Sequence, residues 1–302
     1  MWVALAIISA VFLGIYDLSK KISLNNNAVL PVLYISTFVG CLTFLPLVIL
    51  SQTVTGAIDK WYYIPFSGFQ VQIMIFGKTI LVLGSWILSF FALKHLPITI
   101  VSPIRSTAPV WTLLGALFLF GERLSFFQWI GLSITFIFFY LFSVAGKREG
   151  IQFRNNKFIY FIVLGTMLGA VSALFDKYLI AGNDINPLEI QAWFSIYQVL
   201  ILTPILFLLW YPSRKTTTPF QFRWSILMIG LLLMIADFFY FRAIAQENAM
   251  ISLISVVRRS NVIISFFVGG LLFKEQYMKK KFVLLLGVLV GVVIIYLGTL
   301  YT

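Results

Sequence analysis

The sequence predicts an all-α polytopic membrane protein with ten transmembrane helices, arranged as two inverted five-helix repeats. Three observations predict it. Of 302 residues, 61% are hydrophobic and only 11% are charged, whereas soluble domains carry about 25% charged residues. Apolar runs long enough to cross a bilayer, about 20 residues each, recur along the whole chain. Residues 91–122 also align without a gap to residues 244–275. This composition excludes a soluble enzyme, a nucleic-acid reader and a disordered tail as descriptions of the whole chain. The net charge of +12 would point to nucleic acid in a soluble protein. In a membrane protein it first reflects basic residues gathered in cytoplasmic loops, and no nucleic-acid partner is expected.

The ten spans fall at 2–22, 29–50, 70–92, 97–119, 127–145, 157–180, 188–210, 222–244, 250–272 and 281–300. The connection 51–69 carries Asp59, Lys60 and the aromatic group Trp61, Tyr62 and Tyr63, suited to an interface belt. Gly182, Asn183, Asp184 and Pro187 punctuate the turn between spans six and seven. The runs are too long, and alternate too little, for barrel strands.

The repeat rests on identities at Ala92/Ala245, Ile98/Ile251, Ser102/Ser255, Arg105/Arg258, Leu119/Leu272, Phe120/Phe273 and Glu122/Glu275. Matched arginines and glutamates weigh most, because charges are rare in this chain. The repeats are expected at 1–148 and 157–302. Five helices is an odd number, so the second copy enters the membrane from the opposite side. Inverted repeats place a substrate site near the midplane, where the repeats meet. Loops 3, 5, 7 and 9 hold twelve basic residues, among them Lys94 and Lys279–Lys281, against three in loops 2, 4 and 8. The positive-inside rule then puts both termini outside.

Seven basic residues lie inside the spans: Lys20, Lys21, Lys78, Arg105, Lys177, Arg258 and Arg259. Asp17, Asp176 and Asp237 accompany them, leaving an excess of four positive charges. A charge at a helix centre costs about 2.5–3.5 kcal/mol on insertion scales. Lys20, Lys21 and Lys177 lie near helix ends and have a snorkelling alternative. Asp17 and Lys21 are spaced to pair on one helix face. Arg105, Arg258 and Lys78 are each ninth in their spans, near mid-membrane depth. Ser102 and Ser255 sit one turn before the two arginines and offer hydroxyls. An excess of cations points to an anionic or zwitterionic cargo, a carboxylate or phosphate held by arginine forks. The candidate binding residues are Arg105, Arg258, Arg259, Lys78, Ser102 and Ser255; a structural alternative has the arginines locking backbone carbonyls. Asp17, Asp237 and Asp176 are the candidate coupling or gating groups, for a proton or ion, with simple pairing to a nearby cation as the alternative.

Span four contains Pro97, Pro103 and Pro109, which free the carbonyls of Thr99 and Arg105. The glycine pairs Gly165/Gly169 and Gly287/Gly291 suit close helix packing. A dimer face on span ten is the weaker alternative, so a monomer or weak homodimer is expected. Cys41 and His95 are single, which leaves no Cys/His cluster for a metal and no material for a catalytic or cofactor site. Gly77-Lys78-Thr79 lacks the upstream glycine of a phosphate loop, since position 72 is Gln.

Ten spans, two five-helix repeats, and spans four and nine ending in Gly121-Glu122 and Lys274-Glu275 resemble the EamA-type branch of the drug/metabolite transporter superfamily. The resemblance implies a basket of helices working by alternating access, and export of amino acids or other metabolites from a bacterial cytoplasmic (inner) membrane. The phosphate-carrying branch is similar in having an adjacent basic pair in helix nine, matched here by Arg258-Arg259. Small multidrug-resistance relatives use an acid in helix one, for which Asp17 is the nearest counterpart. A proton-coupled cationic-drug exporter and a membrane lipid-phosphate enzyme stay as alternatives to a metabolite transporter.

Overall fold

The computed structural model of the chain describes residues 2–53, 63–108, 110–112, 114, 125–146, 153–246, 254, 257–258, 260–274 and 277–300. The α-helices bounded among them are α1 (Trp2–Leu24), α2 (Val29–Thr53), α3 (Phe69–His95), α4 (Ile98–Ser106), α5 (Phe126–Gly146), α6 (Lys157–Lys177), α7 (Pro187–Ile205), α8 (Trp224–Ile244), α9 (Asn261–Leu272) and α10 (Met278–Leu300), and residues 108, 110–112, 114, 254 and 257–258 are helical as well. Five described stretches are long and apolar enough to cross a membrane: Val29–Thr53, Phe69–His95, Lys157–Ile180, Pro187–Trp210 and Trp224–Ile244. The Trp61–Tyr62 part of the aromatic cluster, Pro109, Gly121, Glu122, Glu275, Arg259 and Ser255 lie outside the described residues.

Local chemistry sets the helix ends. Asn156 accepts from the Phe158 N–H at 2.9 Å and starts α6. Asn186 accepts from the Leu188 N–H at 2.9 Å, and Pro187 then fixes the first helical φ of α7. Gly68, at φ 101°, turns the chain into α3 through the left-handed region that favours glycine. Pro204, inside α7, cannot donate its backbone hydrogen bond, and a π-helical turn, Leu206–Trp210, follows it.

The helices bury their faces in a regular pattern of partners. α5 packs on α10, α1 on α8, α3 on α6, α2 on α7 and α8, α9 on α1 and α4, and α3 on α7. The main buried cluster includes Leu33, Phe90, Leu96, Ile98 and Ile162. Outward faces are apolar: Leu208 is 74% and Leu271 73% exposed, which suits hydrocarbon rather than water.

One expectation changes here, and a second, close packing at the span-ten glycines, is met. Helix α10 begins at Met278, so Lys281 is not a loop charge. Its side chain is 1% exposed and donates to Thr99 Oγ1 at 2.7 Å. Eleven of the twelve basic residues then remain for loops or helix ends, without reversing the charge asymmetry. Second, the span-ten glycines face inside the chain. A Cβ on Gly291 would lie 2.9 Å from the Gly131 carbonyl oxygen, and one on Gly287 would overlap the Phe138 ring. These glycines let α5 and α10 approach closely, and their faces are already occupied. Gly291→Val should therefore lower stability by about 1–3 kcal/mol, the usual cost of overpacking, read as a lower melting temperature in detergent.

Candidate functional site

A central cavity of about 170 Å³ is enclosed by α1, α3, α4, α6, α7 and α8, together with Arg258 just ahead of α9. Its wall includes Lys20, Lys78, Arg105, Asp176, Asp237 and Arg258. Asp17 lies immediately behind Arg105 and Lys20 at 2% exposure. The sequence scattered these residues from 17 to 258, and the fold collects them around one space.

The charges are arranged as pairs. Asp17 Oδ1 accepts from Arg105 Nη1 at 2.5 Å and meets Lys20 Nζ at 2.8 Å, and its Oδ2 accepts from Asn261 Nδ2 at 2.9 Å. Three helices, α1, α4 and α9, are thereby tied to one carboxylate. Lys20 Nζ also lies 4.1 Å from the centre of the Tyr16 ring, where the ring face favours a cation. Arg258 pairs with Asp237, donates from Nε to Ser9 Oγ at 3.2 Å, and stacks its guanidinium 3.9 Å from the Tyr240 ring centre. Ser9 in turn donates to the Ala236 carbonyl at 2.7 Å, which fixes its lone pairs toward the arginine. Lys78 pairs with Asp176 and lies 4.8 and 4.9 Å from the Phe194 and Phe241 ring centres.

The two arginines differ from the two lysines in access. Their side chains are 22% and 20% exposed, against 4% for Lys20 and 3% for Lys78. Among the described residues Arg105 engages Asp17 through Nη1 alone, and Arg258 uses Nη2 and Nε. Each guanidinium therefore keeps N–H groups for a further acceptor.

The structure sorts the sequence candidates. Lys78, Arg105, Arg258, Asp176 and Asp237 line the cavity, and Asp17 backs it. Ser102 does not line it: its hydroxyl meets Ser265 Oγ at 3.0 Å in the buried contact between α4 and α9. Helix α4 is interrupted after Ser106, one residue past Arg105, by a turn at Thr107 whose Oγ1 donates to the Ile104 carbonyl at 2.7 Å, and residues 108, 110–112 and 114 are helical again. The Pro103 carbonyl accepts from Ser106 Oγ at 2.6 Å. Lys21 donates to the Leu93 and Leu96 carbonyls at 2.8 and 2.6 Å, so it caps α3 instead of pairing with Asp17. Lys20 takes that carboxylate from one position earlier. Lys21 is thereby spent at a helix end, and Arg259 and the side chain of Lys177 lie outside the described residues. The described cluster holds four cations, Lys20, Lys78, Arg105 and Arg258, against three carboxylates, a net of +1.

One residue escaped the sequence reading entirely. Glu189, in the first turn of α7, is 0% exposed. Its carboxylate accepts from Ser67 N at 2.8 Å, Ser67 Oγ at 2.5 Å and Gln72 Nε2 at 3.1 Å, while Tyr197 donates to Gln72 Oε1 at 2.8 Å. It clasps the entry of α3 to α7, away from the cavity. In sequence Glu189 reads only as a favourable acid at a helix start.

Comparison with known proteins follows the same outline. The chain matches the EamA-like transporter family over residues 1–144 and 156–297, and belongs to that family. It is an integral, multi-pass membrane protein and a transporter of the drug/metabolite type, with a small-molecule cargo and lipid around it. The family is one of transporters rather than enzymes. A solved crystal structure is similar to it, with a TM-score of 0.60 over 97% of this chain and 98% of that chain at 16% identity, a likeness that concerns the fold alone. No curated protein matches the chain.

Asp17 carries the largest structural load in the cluster. Asp17→Ala leaves Arg105 and Lys20 facing each other without an anion, and should cost about 3–5 kcal/mol. Asp17→Ala with Lys20→Met should recover part of that loss. Thermal melting of the purified variants in detergent checks both.

Proposed function

We propose that the protein is a secondary active transporter, an exporter, of a small anionic or zwitterionic metabolite, working by alternating access between two inverted five-helix repeats, 1–148 and 157–302. The carrying observation is the pair of partly exposed guanidiniums, Arg105 and Arg258, on the wall of one cavity with N–H groups to spare. A carboxylate or phosphate bound there would replace water as the acceptor for those groups. The volume, about 170 Å³, favours a small cargo, since drug-sized sites usually run to about 300–1,000 Å³. The three ion pairs favour a zwitterion over a bare anion, because both signs of charge are already in place around the cavity.

Helix pairing supports the repeat. Exchanging α1–α5 for α6–α10 carries α1/α8 onto α3/α6, α2/α8 onto α3/α7 and α1/α9 onto α4/α6, while α2/α7, α4/α9 and α5/α10 map onto themselves. On this proposal Asp17, Asp176 and Asp237 couple transport to a proton or ion, Arg259 and Ser255 complete the site, and both termini face outward from a bacterial inner membrane. The protein acts as a monomer, with the glycine faces of α5 and α10 spent on each other.

A cationic-drug exporter built on Asp17 is disfavoured by geometry. That carboxylate already accepts from Arg105, Lys20 and Asn261. A lipid-phosphate enzyme lacks material, since His95 stacks on Phe158 with ring centres 3.8 Å apart at the end of α3.

Uptake or exchange of labelled metabolite anions and amino acids by proteoliposomes tests the proposal. Arg105→Ala and Arg258→Ala should each reduce transport at least about tenfold, the effect of one charge-assisted contact of about 1.5–3 kcal/mol. Undiminished transport in both folded variants would remove the assigned roles.

A further inference from the structure

The three carboxylates differ in where their cationic partners come from. Asp17 with Arg105 and Lys20 lies wholly within the first matched segment, 1–144, and Asp237 with Arg258 wholly within the second, 156–297. Among the described residues, Lys78 with Asp176 is the one ion pair that crosses between them.

The surroundings of Lys78 Nζ have the same division. Its carboxylate partner is Asp176 on α6, and the two aromatic faces about it are Phe194 on α7 and Phe241 on α8. All three belong to the second segment, while the lysine arrives from α3 of the first. A carboxylate with aromatic faces within about 6 Å is the arrangement that binds ammonium ions. Lys78, Asp176, Phe194 and Phe241 all line the central cavity. Lys78 is itself 2% exposed, so nothing else occupies the cage while the lysine is in it.

We infer that Asp176, Phe194 and Phe241 form a binding subsite for a primary ammonium group, and that Lys78 is its tethered internal occupant. A cargo ammonium competes with Lys78 for the cage. Its entry breaks the one described ion pair joining the two segments, and frees them to move. Lys78 returns when the cargo leaves, and so resets the empty carrier without exposing a bare carboxylate to a low dielectric. The exchange moves one cation out as another enters, and requires no bond to form or break. This inference rests on the cavity proposed above as the cargo site, and names one end of the cargo.

Chemical rescue tests it through binding, independent of transport. Lys78→Ala empties the cage. Ethylammonium should then raise the melting temperature of the detergent-solubilised variant by about 2–4 °C at saturation. The neutral isostere n-propanol should not, and wild type should respond far less. Lys78→Ala with Asp176→Asn should lose the response. If Lys78→Ala is not recovered folded, ethylammonium present during extraction should restore a monodisperse protein. Equal response of wild type and variant, retention of the response in the double variant, or no restoration would each overturn the inference. A failed rescue with intact Arg105- and Arg258-dependent transport would leave the cargo cavity standing and remove only the ammonium subsite. Loss of the arginine dependence with a successful rescue would do the reverse.

Discussion

Lys78 and Asp176 are in contact with 3% and 9% of their side chains exposed, and each would be an unpaired charge in a nearly dry interior without the other. Removing one member of such a pair costs about 3–5 kcal/mol, a large share of the 5–15 kcal/mol that holds typical domains together. The same constraint organises the whole centre of the molecule. Asp17 can be buried because α4 brings Arg105, α1 brings Lys20 one turn away, and α9 brings Asn261. Asp237, with 17% of its side chain exposed, pairs with Arg258, which also donates to Ser9. Helix packing therefore has to satisfy the charges, and the charges in turn fix which helices meet.

Apolar packing supplies the frame in which those pairs form. Small residues let helices approach: Gly165 on α6 sits so close to α3 that a Cβ would lie 2.8 Å from Ser89 Oγ. Ser85 Oγ then donates to the Gly165 carbonyl at 2.6 Å, tying the two helices together along the cavity wall. That contact places Lys78 and Asp176, on the same two helices, opposite each other. A route thus runs from glycine spacing, through interhelical distance, to an ion pair, and from the ion pair to the chemistry of the cavity.

Much of this was legible in the chain. Apolar run lengths located eight of the helices to within a few residues, while α4 and α9 cover only part of the spans expected at 97–119 and 250–272, where much of the chain lies outside the described residues. Scarcity of charge made Lys78, Arg105, Arg258, Asp17, Asp176 and Asp237 stand out. Partner choice was not legible. Positions three and four residues beyond Asp17 both neighbour it on a helix, and only the placement of the α3 terminus decides that Lys21 turns to carbonyls while Lys20 takes the carboxylate. Ser102 shares a helix turn with Arg105, yet Ser265 on a distant segment claims it. Lys281 counts as a loop charge in sequence and Glu189 draws no notice there, because their burial depends on Thr99 and on Ser67 with Gln72, all far away in sequence. Local periodicity carries no information about such contacts.

The claim that buried charge pairing joins the two segments is tested most directly by a double-mutant cycle on Lys78 and Asp176, read by reversible unfolding in detergent. Lys78→Met and Asp176→Asn should each destabilise by about 3–5 kcal/mol, and the double variant should cost clearly less than the sum of the two single ones. The coupling expected is about 2–3 kcal/mol, the upper range for residues in contact. Additive effects, with coupling below about 0.5 kcal/mol, would contradict the account.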